Sequence, residues 1–409
     1  MARSEALMRT RSHLRLVGAG QRAATRARAT FTSRRTVALL IGSTVFLTGG
    51  GLIMVLSASS VSAYANYGSS FLFFQRQAAY AVVGALALLL TSRMRYDVWQ
   101  RLAVPLLGLA VVLLALVLHP SSGVEAYGAS RWIAFGPVTV QPSELAKLAL
   151  IVFAATILAR KWSRRDELAH LILPLVPVTV AVCALVVSQP DLGTTLILSG
   201  SVFLLLFAAG VRLRYLITTA VAGGAVGVAL ILGEGYRKAR FLSFLHPGAD
   251  LQNTGYQLAQ SLMALGSGGW FGVGLGASRQ KWMYVPNAHT DFIFSILGEE
   301  LGLVGEIVVL IAFSVLIYAG IRVASRAPDV FGRLLAAGIV SWFGLQIVVN
   351  LGAVTGLLPI TGVPLPLLSY GGSSLVASLA AVGILVNIAR SPAAAAARRT
   401  TRPRSRRAA

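Results

Sequence analysis

"VALLIGSTVFLTGGGLIMVLS", residues 37–57, runs for 21 positions without an acidic or basic side chain. About 20 apolar residues in helical geometry cross the ~30 Å hydrocarbon layer of a bilayer. The run does not alternate with period two, which argues against a barrel strand. Comparable runs recur at about 75–92, 99–119, 142–159, 168–188, 192–209, 215–233, 291–321, 332–354 and 371–390, giving ten segments. Composition agrees, with 56% of 409 residues hydrophobic and 12% charged, against roughly 25% charged in a soluble domain. The expected fold class is all-α, a polytopic membrane protein of about ten transmembrane helices. Segment 37–57 follows 36 mostly basic and polar residues and lacks a cleavage site, so it is expected to remain as a span rather than leave as a signal.

The formal charge of +22 is concentrated at the ends, with nine arginines in residues 1–36 and seven from Arg390 onward. Both ends lack an apolar face. Residues 1–36 and 392–409 are therefore expected to be disordered cytoplasmic tails on an anionic leaflet, flanking a membrane domain at 37–391. Membrane lipids are the expected partner of this charge, and no nucleic acid is expected. The single cysteine, Cys183, excludes a disulfide framework and a cysteine-based metal site.

Arginine placement orients the segments. With the N-terminus cytoplasmic, 28 of 36 basic residues fall inside, while "YANYGSSFLFF" (64–74) and "TGLLPITGVPLPLLSY" (355–370) lie outside and carry no charge. An even number of crossings returns the C-terminus to the cytoplasm, so both termini are expected there. The basic residues that break the pattern are Arg76, Arg131, Lys147, Arg237, Lys238, Arg240, Arg279 and Lys281. Nine of the fourteen acids share their zone, among them Glu144, Asp291, Glu299 and Glu300. Ionisable groups in or near hydrocarbon pair, line a cavity or do chemistry. A polar site of both signs is expected on the extracytoplasmic side.

Three stretches supply its candidates. The long outer loop 234–290 places Arg237 and Arg240 three apart, on one face of a helical turn. They suit a phosphate or pyrophosphate, or else pair with Glu234 or Asp250. Within the loop, "GSGGWFGVGLG" (266–276) lacks the order of a nucleotide-binding glycine loop and reads as tight turns that permit close backbone approach. In "GASRWIAFGPVTVQPSELAKLAL" (128–150), Pro142 opens a helix that carries Glu144 and Lys147 three apart. They form either an ionic tie between helices or, with Arg131 and Gln141, a polar substrate groove.

"YVPNAHTDFIFSILGEELG" (284–302) places Asp291 at the mouth of an apolar helix, where it either caps the helix or faces the outer site beside His289. Glu299 and Glu300 follow about 12–14 Å along the axis. They are too far to share a reacting atom with Asp291 and are expected to support the cavity by pairing with a buried cation such as Lys147 or Arg76. Asp191 in "SQPDLGTT" (188–195) is expected to cap the next helix. The uncharged connection at 350–375 reads as a re-entrant or surface loop closing over the cavity.

Taken in order, "RWIAFGPVTVQPSELAKL", "QPDLGTT", "YRKAR…GYQLAQSLMALGSGGWFGVGLGASRQK", "AHTDFIFSILGEELGLVG" and "LPITGVPLPLLSYGGSSL" resemble the SEDS family of shape, elongation, division and sporulation proteins. The resemblance covers about 37–391 and is closer to the FtsW-type division branch than to the RodA-type elongation branch. "YGASRW" departs from the Asn-Gly-Ala-Arg that related chains carry there. The resemblance implies the SEDS fold and peptidoglycan glycosyltransferase activity, inverting, on lipid II at the outer face of the plasma membrane during division at the septum. It implies a class B penicillin-binding transpeptidase and other divisome proteins as partners. The family's essential acid falls on Asp291, as base or as the carboxylate holding a divalent cation (Mg or Mn). Arg131, Glu144, Lys147, Arg237, Arg240, Gln260, Ser261, Lys281, His289 and Thr290 match polar positions of the family's outer cavity, with Arg237, Arg240 and Lys281 expected on the pyrophosphate. A lipid II flippase would need a polar path reaching both leaflets, whereas these charges cluster on one side. A non-enzymatic scaffold that only recruits the transpeptidase is the other alternative.

Overall fold

Eleven helices and one small sheet make up the described residues. The computed structural model describes the backbone over 2–119, 123–126, 129–136, 138–162, 174–233, 255–282, 284–285 and 288–401, with single positions at 235, 238, 241 and 244. Side chains are described between Ser33 and Ser391 within those ranges, outside 123–130, 135 and 138. In chain order the helices are α1 (Ala2–Tyr67), α2 (Leu72–Arg93), α3 (Asp97–Val117), α4 (Pro142–Arg160), α5 (Val176–Val187) and α6 (Leu192–Ala208). They continue with α7 (Leu213–Leu232), α8 (Tyr256–Ser267), α9 (Ile293–Arg326), α10 (Val330–Val354) and α11 (Gly372–Thr401). Eight are long and apolar enough to cross a membrane, and α5 and α6 are apolar but shorter. Each of the ten expected segments overlaps one of these helices, residues 168–173 of the fifth lying outside the described residues.

The apolar part of α1 is Ser33–Tyr67 and that of α11 is Gly372–Ser391. Their helical backbones continue into the basic ends, where the composition predicts disorder. Alanine and arginine are strong helix formers even without an apolar face.

Burial grades the helices. Nearly all of α4 is enclosed, because Ala146, Ala149, Ala154 and Ala155 let neighbours close on it. Gly338 of α10 gives Ile151 its space, since a Cβ there would come within 2.6 Å of the Ile151 side chain. By contrast, α7 buries only Leu216 and exposes Ile217, Val221, Val226, Val228 and Leu232. Polar ties join α2 to α11, where Thr91 donates to the Ala380 carbonyl at 3.0 Å and Asn387 donates to the Ser92 carbonyl at 2.8 Å.

A three-stranded antiparallel sheet, β1 (Gly123–Ala126), β2 (Ala129–Phe135) and β3 (Val138–Val140), precedes α4 and adds strands to the all-helical expectation. Gly136 turns β2 into β3 at φ 60°. Tyr80 donates to the Thr139 carbonyl at 3.3 Å, anchoring the sheet to α2.

Two departures from regular helix shape the interior. Gly302 breaks α9 with φ 67° and ψ −169°. The arm from Leu303 to Arg326 is ~36 Å long at 1.5 Å per residue and suffices to cross a bilayer by itself. The short arm Ile293–Leu301 is almost wholly buried. The second departure is the chain between α10 and α11, which runs without helix through Pro359–Pro366, with Val363, Leu365, Leu367 and Leu368 buried. It is the re-entrant form of the expected connection. Irregular backbone is tolerated at such a place only where protein satisfies its polar groups.

Candidate active site around Asp291

Asp291 is not the helix cap. The N-cap of α9 is Phe292, and no side-chain cap bond is made there. Instead the Asp291 backbone carbonyl accepts from Asn350 Nδ2 of α10 at 2.8 Å. The same amide nitrogen donates to the Val363 carbonyl of the re-entrant chain at 2.7 Å. Beside them Gly362 sits at φ 73°, and a Cβ there would lie 3.5 Å from Asp291 Oδ2. The half-buried carboxylate thus stands where the start of α9 meets the re-entrant chain.

His289 closes one side. Its ring centroid is 4.8 Å from Phe73 and 5.3 Å from Tyr370, and its carbonyl accepts from the Tyr370 amide at 2.9 Å. Burial pushes the imidazole down to about 4, so it is neutral at pH 7. Burial also pushes the Tyr370 phenol up, while the Arg76 guanidinium beside it pulls the other way. Arg76 is exposed and belongs to this rim. Being exposed, Arg76 is not the buried counter-ion expected for Glu299 or Glu300.

A polar ladder on α10 lies below. Gln346 Oε1 accepts from Lys147 Nζ at 3.0 Å and from Trp342 Nε1 at 2.7 Å. Two donors on that oxygen fix the amide orientation, so Nε2 is left to donate to the Pro364 carbonyl at 2.7 Å. Lys147 also pairs with Glu144 at 2.9 Å, and both side chains are sealed from solvent. The ion pair lies within α4, and the tie to a second helix is the hydrogen bond from Lys147 to Gln346 of α10. Across the loop, Gln77 of α2 donates to the Ser369 carbonyl at 3.1 Å and accepts from the Gly371 amide at 3.2 Å. Gln77, Gln346 and Asn350 escaped the sequence reading. The available signal was a polar side chain inside an apolar segment, repeated one helical turn on in "GLQIVVNLG".

The glycine loop has a different task from ligand approach. Gly302 removes hydrogen bonds from α9, and the loop replaces them. Val273 and Gly274 amides donate to the Glu299 and Glu300 carbonyls at 2.9 and 3.0 Å, and Leu303 and Val304 amides donate to the Gly269 and Trp270 carbonyls at 2.9 and 3.1 Å. Side chains cannot fit between them. A Cβ on Gly268 would strike the Gly298 carbonyl, and one on Gly272 the Glu300 carbonyl. The close backbone approach is therefore to the chain's own broken helix.

This splice organises Glu299, Glu300 and Lys281. Glu299 accepts from the Ser278 hydroxyl and from the Arg279 and Gln280 amides at 2.9 and 3.3 Å. Glu300 accepts from the Ser57 hydroxyl at 2.6 Å and pairs with Lys281 at 3.7 Å. The partners of the two acids are Ser57, Lys281, Ser278 and loop amides rather than the expected Lys147 or Arg76. Lys281 is buried and donates to the Gly276 carbonyl, so its ammonium is committed within the fold and is not presented to a pyrophosphate. Ser261, also expected on substrate, is fully buried and bonded to Ser295 and to the Val354 carbonyl, at 2.7 and 2.8 Å. It holds α8 against α9 and α10.

Gln260 lines an open cavity of about 700 Å³ with Met263, Arg279, Gln280, Trp282 and Tyr284. Arg131 of β2 spends two donors on the Gln189 and Pro190 carbonyls, the former at 3.1 Å, and so holds the turn before α6. Asp191 in that turn caps α6 as expected, accepting from the Thr194 amide at 2.9 Å. Thr290 is half-buried beside Asp291. Arg237 and Arg240 lie outside the described residues. Among the described residues no three His, Cys, Asp or Glu side chains gather as a metal cage.

Residues 37–393 match the model of the cell cycle protein family of FtsW, RodA and SpoVE. The chain belongs to this family. The chain is 46% identical over 344 residues to a probable peptidoglycan glycosyltransferase FtsW of Geobacter metallireducens, covering 84% of this chain and 92% of that protein. It is 42% identical over 352 residues to the stage V sporulation protein E of Bacillus subtilis, covering 86% and 96%. Among solved structures, a chain of a peptidoglycan synthase complex superposes with a TM-score of 0.69 at 32% identity, covering 85% of this chain and 97% of that one. That complex is described as coordinating polymerization and crosslinking. These relatives agree with the division and sporulation branch of the family.

Proposed function

We propose that this protein is a multi-pass glycosyltransferase of the plasma membrane that polymerises lipid II into glycan strands, with its site on the extracytoplasmic face and its work at the division septum. The distribution of arginines supports this orientation, and the naming of the Geobacter relative supports the activity. A class B penicillin-binding transpeptidase is the partner we assign to it, in keeping with the polymerising and crosslinking complex that the chain resembles.

The carrying observation is the setting of Asp291. It precedes the N-cap of α9, its backbone carbonyl accepts from Asn350, and its carboxylate stands beside Gly362 of the re-entrant chain. Chain extension needs the 4-hydroxyl of one lipid-linked sugar to attack the anomeric carbon of another. Asp291 takes the hydroxyl proton, the new glycosidic bond forms with inversion, and the bond to the lipid pyrophosphate breaks with its electron pair on oxygen. No second acid is required, because pyrophosphate leaves as a stable anion. Arg237 and Arg240 are assigned to that anion, joined by Arg279, which is exposed and lines the cavity beside Gln260. A divalent cation fits this donor set as one carboxylate plus substrate oxygens, a mode magnesium accepts. In that alternative to the base role Asp291 would hold it, and it would supply neutralising charge at the pyrophosphate.

The test uses purified protein with its transpeptidase partner and labelled lipid II. Asp291→Asn is expected to abolish glycan polymer while the complex still forms. Polymer at the wild-type rate from that variant would remove Asp291 from the chemistry.

A further inference from the structure

We infer that Asn350 is a positioning residue of the polymerisation reaction. It acts by holding the Asp291 backbone and the re-entrant chain in one register, and the inference rests on the assignment of Asp291 as base. Three observations carry it. Asn350 is 2% exposed, on a rigid helix, and its Nδ2 is shared between two carbonyls, at 2.8 Å to Asp291 and 2.7 Å to Val363. Two carbonyl acceptors require the amide nitrogen on that side, because the amide oxygen would be repelled by both. One turn earlier on the same face, Gln346 grips the next carbonyl of the chain, that of Pro364.

The arrangement is a two-rung clamp. Successive carbonyls at Val363 and Pro364 are taken by successive turns of α10, and the upper rung alone extends to Asp291. The Gln346 rung is itself locked by Lys147 and Trp342. Sliding the re-entrant chain would break both rungs together, so Gly362 keeps its place beside the Asp291 carboxylate. Positioning matters at this scale, because a shift of about 1 Å in a reacting group lowers rate about 100-fold. Both of these hydrogen bonds of Asn350 go to backbone carbonyls, so it acts through Asp291 and the re-entrant chain rather than on substrate.

The experiment compares Asn350→Ala and Gln346→Ala in the complex with the transpeptidase, using labelled lipid II and rates per folded molecule. For Asn350→Ala, kcat is expected to fall at least 10-fold while KM stays within about threefold of wild type. Gln346→Ala is expected to show a smaller loss, because the upper rung remains. Wild-type kcat from folded Asn350→Ala overturns the inference. So does a rise in KM with kcat unchanged. If that variant does not accumulate as folded protein, Asn350→Ser keeps one donor and is judged on the same split, with a kcat loss of several fold expected and wild-type kcat again overturning it. An inactive Asp291→Asn beside a fully active Asn350→Ala would leave the base assignment standing and remove the clamp. A fully active Asp291→Asn would remove the base assignment first.

Discussion

Lys147 places its ammonium 2.9 Å from the Glu144 carboxylate one turn back on α4, with both side chains at most 3% exposed. Two charges so enclosed are stable only as a pair with further hydrogen bonds, and Gln346 supplies one. Lys147→Met strands the carboxylate, with an expected loss of about 3–5 kcal/mol of stability. Thermal unfolding in detergent by intrinsic fluorescence measures it. The double variant Glu144→Gln with Lys147→Met should recover part of the loss. Equal melting of the single variant and wild type would show that the pair contributes nothing.

Gly272 meets the broken helix at φ 76°, and a Cβ there would run into the Glu300 carbonyl. Gly272→Ala is expected to pull the loop off Glu299 and Glu300 and expose their free carbonyls. Neighbouring Gly274, with φ 104°, meets nothing, so Gly274→Ala carries backbone strain without the collision. The yield of monodisperse protein on size exclusion should therefore fall further for Gly272→Ala than for Gly274→Ala. The reverse order would disprove the splice.

His289 couples stability to pH. Its folded pKa, about 4, lies below the ordinary histidine value of 6.5, so the unfolded chain binds the extra proton between these values. The contribution is complete above about 6.5, falls as pH drops through that window and is lost below about 4. Its full size is on the order of 3 kcal/mol. Melting temperature followed from pH 7 to pH 4 should fall less steeply in His289→Phe, which keeps the ring contacts with Phe73 and Tyr370. Parallel slopes would rule out this source of the pH dependence.

Asp191 caps α6 through the Thr194 amide and hydroxyl, at 2.9 and 2.8 Å. Asp191→Ala is expected to cost about 1–2 kcal/mol, and Asp191→Asn much less, because asparagine caps equally well. Denaturant titration of the two variants separates a cap from a catalytic acid. Glycan polymerisation per folded molecule should be unchanged in both.

Much of the architecture was legible because span length and arginine placement are local properties. Each apolar segment overlaps a helix among the described residues, and Asp191 announced its capping role by position. The acidic pair in "GEELG" was harder. A continuous apolar run gave no warning that Gly302 breaks the helix, since glycine inside a helical pattern usually signals only a small cost. Once the helix breaks, Glu299 and Glu300 turn to the glycine loop and Lys281 in place of Lys147 or Arg76. Lys281 and Ser261 show the same limit, for a polar residue in an outer loop looks like a ligand group until its partners are known.

From the sequence alone came the membrane class, the ten apolar segments, the expected sidedness, the family and the aspartate in "AHTD". Hydropathy, charge and motif order act along the chain and need no partner to be read. Only the tertiary structure decided which polar groups meet. It released Asp291 from the cap, gave Lys147 to Glu144 and Gln346, and closed the glycine loop on the broken helix. It also put Asn350 between Asp291 and Val363, residues that lie 59 and 13 positions away. Buried donors and acceptors must find partners wherever packing brings them, and in a folded membrane domain those partners are distant in sequence.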